Sequence, residues 1–150
     1  MTEWLDDRYC IACGDRNPIG MHLKFVIKDD NLETKYTFPR EFQGYKDLVH
    51  GGMLSLLLDE IMVNLPLQKL KVPVVSADLR IKLKKPLRVG EKVIARAHII
   101  KQKGRFFIVK GEIVKEKTNE LIATGESICV KVGQQQDVSM GSVKDSKHSV

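Results

Sequence analysis

The chain is poor in cysteine and in aromatic residues, and each shortage argues against a class of protein. Its three cysteines among 150 residues are an odd number, which argues against a disulfide framework and for a reducing, cytoplasmic setting. Aromatic residues make up 6% of the chain, and the lysines are spread along predicted strands, so we expect no nucleic-acid partner. The first residues lack the basic start and apolar run of a signal peptide, and we expect none.

What the chain does contain is typical of a globular protein, with 43% apolar and 29% charged residues. Its length fits one domain, which we place at residues 1–132. Residues 133–150 are rich in Gln, Ser and Lys, and we predict a polar, flexible tail there. The net charge of +6 would suit a small ligand that carries phosphate groups, although the charge alone decides nothing.

The stretch from His50 to Leu65 is central to the predicted fold. A Gly pair is followed by residues that are apolar around nearly the whole helical circumference, and we predict a helix that ends near Pro66. A helix without a polar face must be surrounded by protein. It is too short and too interrupted to span a membrane.

Four polar side chains interrupt this helix. Ser55 and Asp59 share one face because they are four residues apart, and Glu60 and Asn64 share the adjacent one. A buried, unpaired carboxylate is costly, so Asp59 must either lose its charge or have a strong partner. Two interpretations stay open: the polar side emerges at a subunit edge, or Asp59 is a catalytic acid displayed from a core helix.

Alternation of apolar and polar residues predicts six strands around the helix. They cover residues 21–28, 32–38, 75–84, 92–101, 106–116 and 121–132. A turn at Asp29 and Asp30 joins the first two as a hairpin. In the third strand, every second residue from Val75 to Leu83 is apolar and faces the same way. A sheet that covers an apolar helix must curl about it, so we predict an α+β fold in which a curved antiparallel sheet wraps around one long central helix. The sheet edge then requires a partner subunit.

Three motifs together resemble a known family. They are Cys10-x-x-Cys13-Gly14-x-x-Asn17-Pro18-x-Gly20, His50-Gly51-Gly52 and Leu58-Asp59-Glu60, followed by a strand that leads into Lys85-Pro86-Leu87. The combination resembles the hotdog-fold acyl-CoA thioesterases, in the PaaI-like branch of the 4-hydroxybenzoyl-CoA thioesterase superfamily. The resemblance covers residues 10–132, and the acid within the apolar helix makes it fairly specific.

The resemblance implies hydrolysis of an acyl-CoA thioester, with coenzyme A as part of the substrate and no separate cofactor. The Gly51 N–H at the helix start would donate to the carbonyl oxygen, and His50 would orient that site. Asp59 would act as general base or as nucleophile. Ser76 lies close to the position where relatives carry a Ser or Thr that holds the water.

Candidate binding residues come from the same resemblance. Many relatives carry an Asn six residues before the His, and because Gly44 stands there, Gln43 is the candidate substitute. The other candidates are polar or basic side chains and one glycine: Gly52, Ser55, Arg80, Lys82 and Arg105. The basic residues also fit an ordinary solvated face, and that alternative stays open.

The spacing of the two main candidates predicts a shared site. Gly51 and Asp59 lie about 12 Å apart along one helix, at about 1.5 Å per residue, so one thioester cannot reach both in one chain. Two antiparallel copies can supply one group each, which is also the arrangement in the family. We therefore expect a homodimer, assembled further as a dimer of dimers.

Three other interpretations are less well supported by the sequence. Cys10 and Cys13 would suit zinc, but no second pair or suitably spaced His supplies the remaining ligands, so we expect no metal. Gly14-Asp15-x-Asn17-Pro18 resembles the MaoC-type hydratase signature, yet Gly20 stands in place of its His. An acyl-CoA-sensing hotdog protein would lack the helix acid and carry a DNA-binding extension.

Overall fold

The computed structural model describes residues 4–133, which form one six-stranded antiparallel sheet and one long helix. The elements are β1 (Val26–Lys28), β2 (Asn31–Thr37), a short 3-10 helix (Arg40–Phe42), α1 (Gly51–Leu70), β3 (Val74–Leu83), β4 (Lys92–Lys103), β5 (Phe106–Lys115) and β6 (Leu121–Lys131). The strand order is β1-β2-β4-β5-β6-β3. The predicted α+β class, a curved antiparallel sheet around one central helix, is confirmed. Residues 134–150 of the predicted tail lie outside the described residues.

Helix α1 is longer than the sequence predicted, because Pro66 lies inside it rather than at its end. The helix continues to Leu70 and closes at Lys71, whose φ of 60° is left-handed. An internal proline costs about 3 kcal/mol. Leu65, Pro66 and Leu67 are all buried, and each fully buried Leu contributes about 1.5–3 kcal/mol. Packing against the sheet therefore outweighs the loss of one backbone hydrogen bond.

The first hairpin forms as predicted, but its first strand is shorter. Asp29 and Asp30 have φ values of 49° and 69°, as a tight two-residue hairpin turn requires. Strand β1 begins only at Val26, not at residue 21. The preceding segment pairs elsewhere, since the Met21 and Leu23 N–H groups donate to the carbonyls of Ile11 and Ala12. It thereby anchors the N-terminal loop, residues 10–20.

The core lies between α1 and the inner face of the sheet. The alternate residues Val93, Ala95 and Ala97 of β4 are fully buried, as the alternation predicted. Gly111 and Gly125 are cross-strand partners on β5 and β6, and a Cβ on either would come within 3.0 Å of Met62. These two glycines let the helix lie close to the sheet.

Strand β3 is an edge of the sheet, paired on one side with β6. The predicted strict alternation along it is interrupted by a bulge, because Ser76 pairs with Cys129 and Asp78 with Ile128. Ala77 is the extra residue. A bulge shifts which side chains face inward, so Ser76 faces the helix even though Val75 and Ala77 were predicted to do so.

Within residues 4–133, no helix is long and apolar enough to cross a membrane.

Candidate active site

The start of α1 presents two backbone amides that have different surroundings. His50 is the N-cap, and its Nδ1 accepts a hydrogen bond of 2.8 Å from the Gly52 N–H. Among the described residues, no acceptor bonds the Gly51 N–H. Because Nδ1 accepts, the neutral His50 ring carries its proton on Nε2. The Gly51 N–H is therefore a free donor at the positive end of the helix dipole.

A groove opens beside this free donor, with a volume of about 450 Å³. It is lined by Gly44, Tyr45, Leu48, Val49, His50, Gly51 and Pro86. The loop that forms one wall is closed by the Gly44 N–H, which donates to the Leu48 carbonyl, and by the Asp47 N–H, which donates to Gln43 Oε1. The Gln43 carbonyl oxygen thus shapes the wall of the groove.

Asp59 lies about two turns into α1, at 3.6 residues per turn, and is held by β3. The Ser76 hydroxyl donates to Asp59 Oδ1 at 2.5 Å, and the Ser127 hydroxyl donates to Ser76 Oγ at 3.2 Å. This is the strong partner that the sequence required for Asp59. The Ser76–Asp59 contact depends on the bulge at Ala77, which the sequence pattern did not reveal.

Ser127 is a site residue that the sequence reasoning missed. It is fully buried on β6, on the same inward-facing set as Gly125 and Cys129. A hydroxyl among inward-facing residues was the available signal, since a buried polar group requires a hydrogen-bonding partner. Its neighbour Cys129 approaches Ser127 Oγ at 3.4 Å, and burial raises the pKa of the Cys129 thiol.

The two groups do not meet within one chain. Gly51 and Asp59 belong to the same continuous helix, which separates them by about 12 Å at about 1.5 Å per residue. One chain therefore carries the Gly51 amide donor at the helix start and the hydrogen-bonded Asp59 carboxylate about two turns later, too far apart to contact the same thioester group.

Comparison with known proteins identifies the family of this chain. Residues 47–122, half of the chain, match the family model described as the thioesterase superfamily. The chain belongs to the thioesterase superfamily. No curated protein gives a significant match to it.

Solved structures agree with this thioesterase assignment at the level of the fold. The E. coli PaaI protein has 17% identity and a TM-score of 0.68, covering 75% of this chain and 81% of its own. A putative thioesterase of Ralstonia eutropha, described as phenylacetic acid degradation-related, has 23% identity and a TM-score of 0.67, covering 75% and 86%. Mouse thioesterase superfamily member 2 has 23% identity and a TM-score of 0.64, covering 74% and 88%. The fold is the hotdog fold of these thioesterases.

The remaining predicted binding residues are dispersed. The Ser55 hydroxyl donates to the Gly51 carbonyl and so is engaged within the helix. Arg80 and Lys82 line a groove of about 430 Å³. They lie on the sheet face away from α1, because they pair with the two neighbours of Gly125, whose missing Cβ would face the helix. Arg105 donates to the Lys131 carbonyl.

Two other features of the chain lie beside the helix. Asp15 pairs with Arg8, and Asn17 bonds the Tyr9 carbonyl and the Ile19 N–H, so these side chains of the hydratase-like motif stabilise the N-terminal loop. Glu60, which follows Asp59 on the adjacent face of the helix, is 8% exposed. Burial is the main cause that raises the pKa of Glu60 to about 7.

Proposed function

We propose that this thioesterase hydrolyses an acyl-CoA thioester to the free acid and coenzyme A. The observation that carries the proposal is the pairing, on one helix, of an unbonded Gly51 N–H at its start with a carboxylate that Ser76 holds in place. An amide donor and an oriented carboxylate are the two groups that thioester hydrolysis requires.

The proposed chemistry assigns one task to each group. The Gly51 N–H donates to the carbonyl oxygen as negative charge develops on it, assisted by the helix dipole. Asp59 either removes a proton from the attacking water or attacks the carbonyl carbon to give an anhydride, which water then cleaves. The Ser76 hydroxyl donates to Asp59 Oδ1, which leaves Asp59 Oδ2 available as the base or nucleophile. His50, with Gly52, fixes the shape of the helix start, and Gln43 fixes the groove wall.

We propose that the complete site forms between two chains, with Gly51 from one and Asp59 from the other. Two observations support this arrangement. The two groups are about 12 Å apart in one chain, given the helical rise, and β3 leaves one side of a ten-residue strand without a partner among the described residues. An unpaired edge strand is a template for pairing with a second copy. Pairs of such dimers complete the expected assembly.

The phosphate groups of coenzyme A are expected to interact with basic residues. Arg80, Lys82 and Arg105 are exposed, and the net charge of +6 favours an anionic substrate. The likeness to PaaI supports placement in the PaaI-like branch, and the odd number of cysteines supports a cytoplasmic setting. Two structural relatives are named for phenylacetic acid degradation, so phenylacetyl-CoA belongs among the substrates to test.

The test measures release of free thiol from a panel of short, medium and aromatic acyl-CoAs, including phenylacetyl-CoA. Asp59→Asn removes the base or nucleophile at nearly constant volume, and we expect turnover to fall at least about 100-fold, the lower range for a general base. Asp29→Asn is the matched control. Asp29 is exposed in the hairpin turn with a positive φ that Asn also adopts readily, and this variant should retain native activity.

Each alternative function predicts a different outcome. Saturable acyl-CoA binding without thiol release would identify a sensing protein and overturn the proposal. Hydration of an enoyl-CoA would instead identify a hydratase. Full thiol release by Asp59→Asn would leave hydrolysis in place but exclude Asp59 from it.

A further inference from the structure

The N-terminal loop and α1 bring three potential metal ligands together. They are the thiols of Cys10 and Cys13 and the carboxylate of Glu60, and one ligand atom from each lies within 4.8 Å of the others. Cys10 Sγ is 3.8 Å from Glu60 Oε2. Cys13 and Glu60 are buried and Cys10 is partly buried. None of these side chains has a task in the proposed hydrolysis.

We propose that Cys10, Cys13 and Glu60 bind one Zn²⁺ ion, a site separate from the hydrolytic one. Zinc binds thiolate sulfur at about 2.3 Å and carboxylate oxygen at about 2.0–2.2 Å in tetrahedral geometry. Ligands on such an ion lie about 3.6–3.8 Å from one another, and the distance between Cys10 and Glu60 already meets this value. The site needs only small side-chain adjustments to close around the ion.

The chemistry of the ligand set favours zinc over harder cations. Thiolates select borderline and soft metals, whereas magnesium and calcium prefer oxygen ligands alone. The charge points the same way, because no ion pair among the described residues joins a Lys or Arg to the buried Glu60 carboxylate. A divalent cation would offset the negative charge of three acidic ligands that share one largely buried site.

Neighbouring groups already orient two of the ligands. The Ala12 N–H donates to Cys10 Sγ at 3.3 Å, which favours the thiolate. The fully buried Asn64 donates from Nδ2 to Glu60 Oε2 at 2.9 Å and fixes the carboxylate. Hydrogen-bond donors to metal ligands, as the Ala12 N–H and Asn64 are here, fix the orientation of those ligands and increase the affinity for the metal.

A cavity supplies both an access route and a fourth ligand. It has a volume of about 350 Å³, borders Cys13 and is also lined by Asp15 and Gln68. Water from this cavity can complete the tetrahedron. The sequence showed the cysteine pair but not the third ligand, because Glu60 comes from the helix at a spacing that no short motif contains, and the expectation of no metal followed from that. Bound zinc would cross-link the N-terminal loop to α1 directly beside Asp59.

The test measures metal content and affinity, which do not depend on thioesterase activity. Reduced native protein, freed of metal by a chelator, is titrated with Zn²⁺ and separately with Co²⁺. We expect one metal per chain and, with Co²⁺, the thiolate-to-cobalt absorption band of a tetrahedral sulfur site. Cys13→Ser and Glu60→Gln should each weaken binding more than about 100-fold, because loss of an outer partner alone costs about 10–100-fold.

Two controls make the result decisive. Cys129→Ser removes the third cysteine, which lies outside the cluster, and should retain one metal per chain with native affinity. Native protein offers a test that needs no variant, since Zn²⁺ should block alkylation of Cys10 by iodoacetamide. The proposal is overturned if reduced native protein binds no stoichiometric metal, if Zn²⁺ leaves alkylation unchanged, or if a folded Cys13→Ser variant keeps native affinity.

Discussion

His50 and the two glycines after it show how one side chain can cap a helix and still leave a donor available. The imidazole Nδ1 accepts a hydrogen bond from the Gly52 N–H, whereas the Gly51 N–H one residue earlier has no acceptor among the described residues. A free helix normally leaves its first N–H groups to water. Here the cap fixes the local backbone, so the remaining donor is oriented before any substrate arrives. Such preorganisation is what makes an amide effective toward an oxyanion.

Gly51→Pro tests the role of the Gly51 N–H, because proline removes that hydrogen-bond donor. Proline lacks an N–H and is well accepted at the first helical position, which Gly51 occupies. His50 has φ −62° and ψ 134°, the extended conformation that a residue before proline favours. We expect kcat for thiol release to fall about 100–1000-fold, as for removal of one oxyanion donor, while the circular dichroism spectrum stays native.

Gly51→Ala is the matched control for that change. Both variants place a Cβ 2.7 Å from Leu83 Cδ1, so both displace the same flexible side chain. Only alanine keeps the N–H, and Gly51→Ala should therefore retain most of the native kcat. Equal losses in the two variants would show that packing, and not the amide, is responsible.

At the residue scale the sequence revealed most of the candidate site but not its contacts. A carboxylate in an apolar helix is conspicuous, so Asp59 could be identified together with its need for a partner. The identity of that partner depends on a bulge at Ala77, and a one-residue shift of strand register leaves no clear sequence signal. Ser127 was missed because its role requires the pairing of β3 with β6.

At the scale of elements, the paired glycines Gly111 and Gly125 determine how closely α1 packs on the sheet. A Cβ at Gly111 would meet Met62 Cγ at 3.0 Å and Leu58 Cδ2 at 3.2 Å, whereas one at Gly125 would meet Met62 Cε at 2.9 Å. The Cγ atom lies near the backbone and moves little. The Cε atom is the far end of a flexible side chain and can move away.

This difference predicts unequal costs for two otherwise identical substitutions. Gly111→Ala should lower the free energy of unfolding by about 1–3 kcal/mol, the usual cost of overpacking. Gly125→Ala should be close to neutral, since Met62 can yield and alanine recovers about 0.5–1 kcal/mol relative to glycine within a strand. Urea denaturation of both variants measures the difference. A larger loss for Gly125→Ala would mean that Met62 is held rigidly.

Local patterns predicted the type of most elements but not all of their limits. Alternation identified β4, β5 and β6 because each has one buried face. It overextended β1, since residues 21–25 alternate in the same way while bonding to the N-terminal loop. It also ended α1 too early at Pro66. In both places tertiary packing outweighed local preference, and packing is not visible in a local pattern.

At the scale of the whole molecule, the proposed shared site makes a quantitative prediction. Gly51→Pro and Asp59→Asn chains should each retain at most about 1% of native turnover alone, but a mixed dimer contains one complete site. Random exchange of equal amounts gives mixed dimers in half of the population, so about one quarter of native activity should return. The measurement is thiol release after the two purified variants are unfolded and refolded together.

A chain that carries both substitutions is the control for this complementation. Refolded with Asp59→Asn chains, it forms mixed dimers in which no carboxylate is present, and activity should stay at background. Absence of recovery in the Gly51→Pro and Asp59→Asn mixture would show that both groups must come from the same chain and contradict the shared arrangement.

Strand β3 has two roles in the proposed dimer, because its free edge faces the partner and its Ser76 holds Asp59. Association through such an edge obeys mass action, so the fraction of paired chains depends on protein concentration. On dilution below the dissociation constant, the protein would lose its complete sites while each chain kept its fold. Specific activity would then report the degree of assembly, and abundance in the cell would regulate turnover without any separate effector.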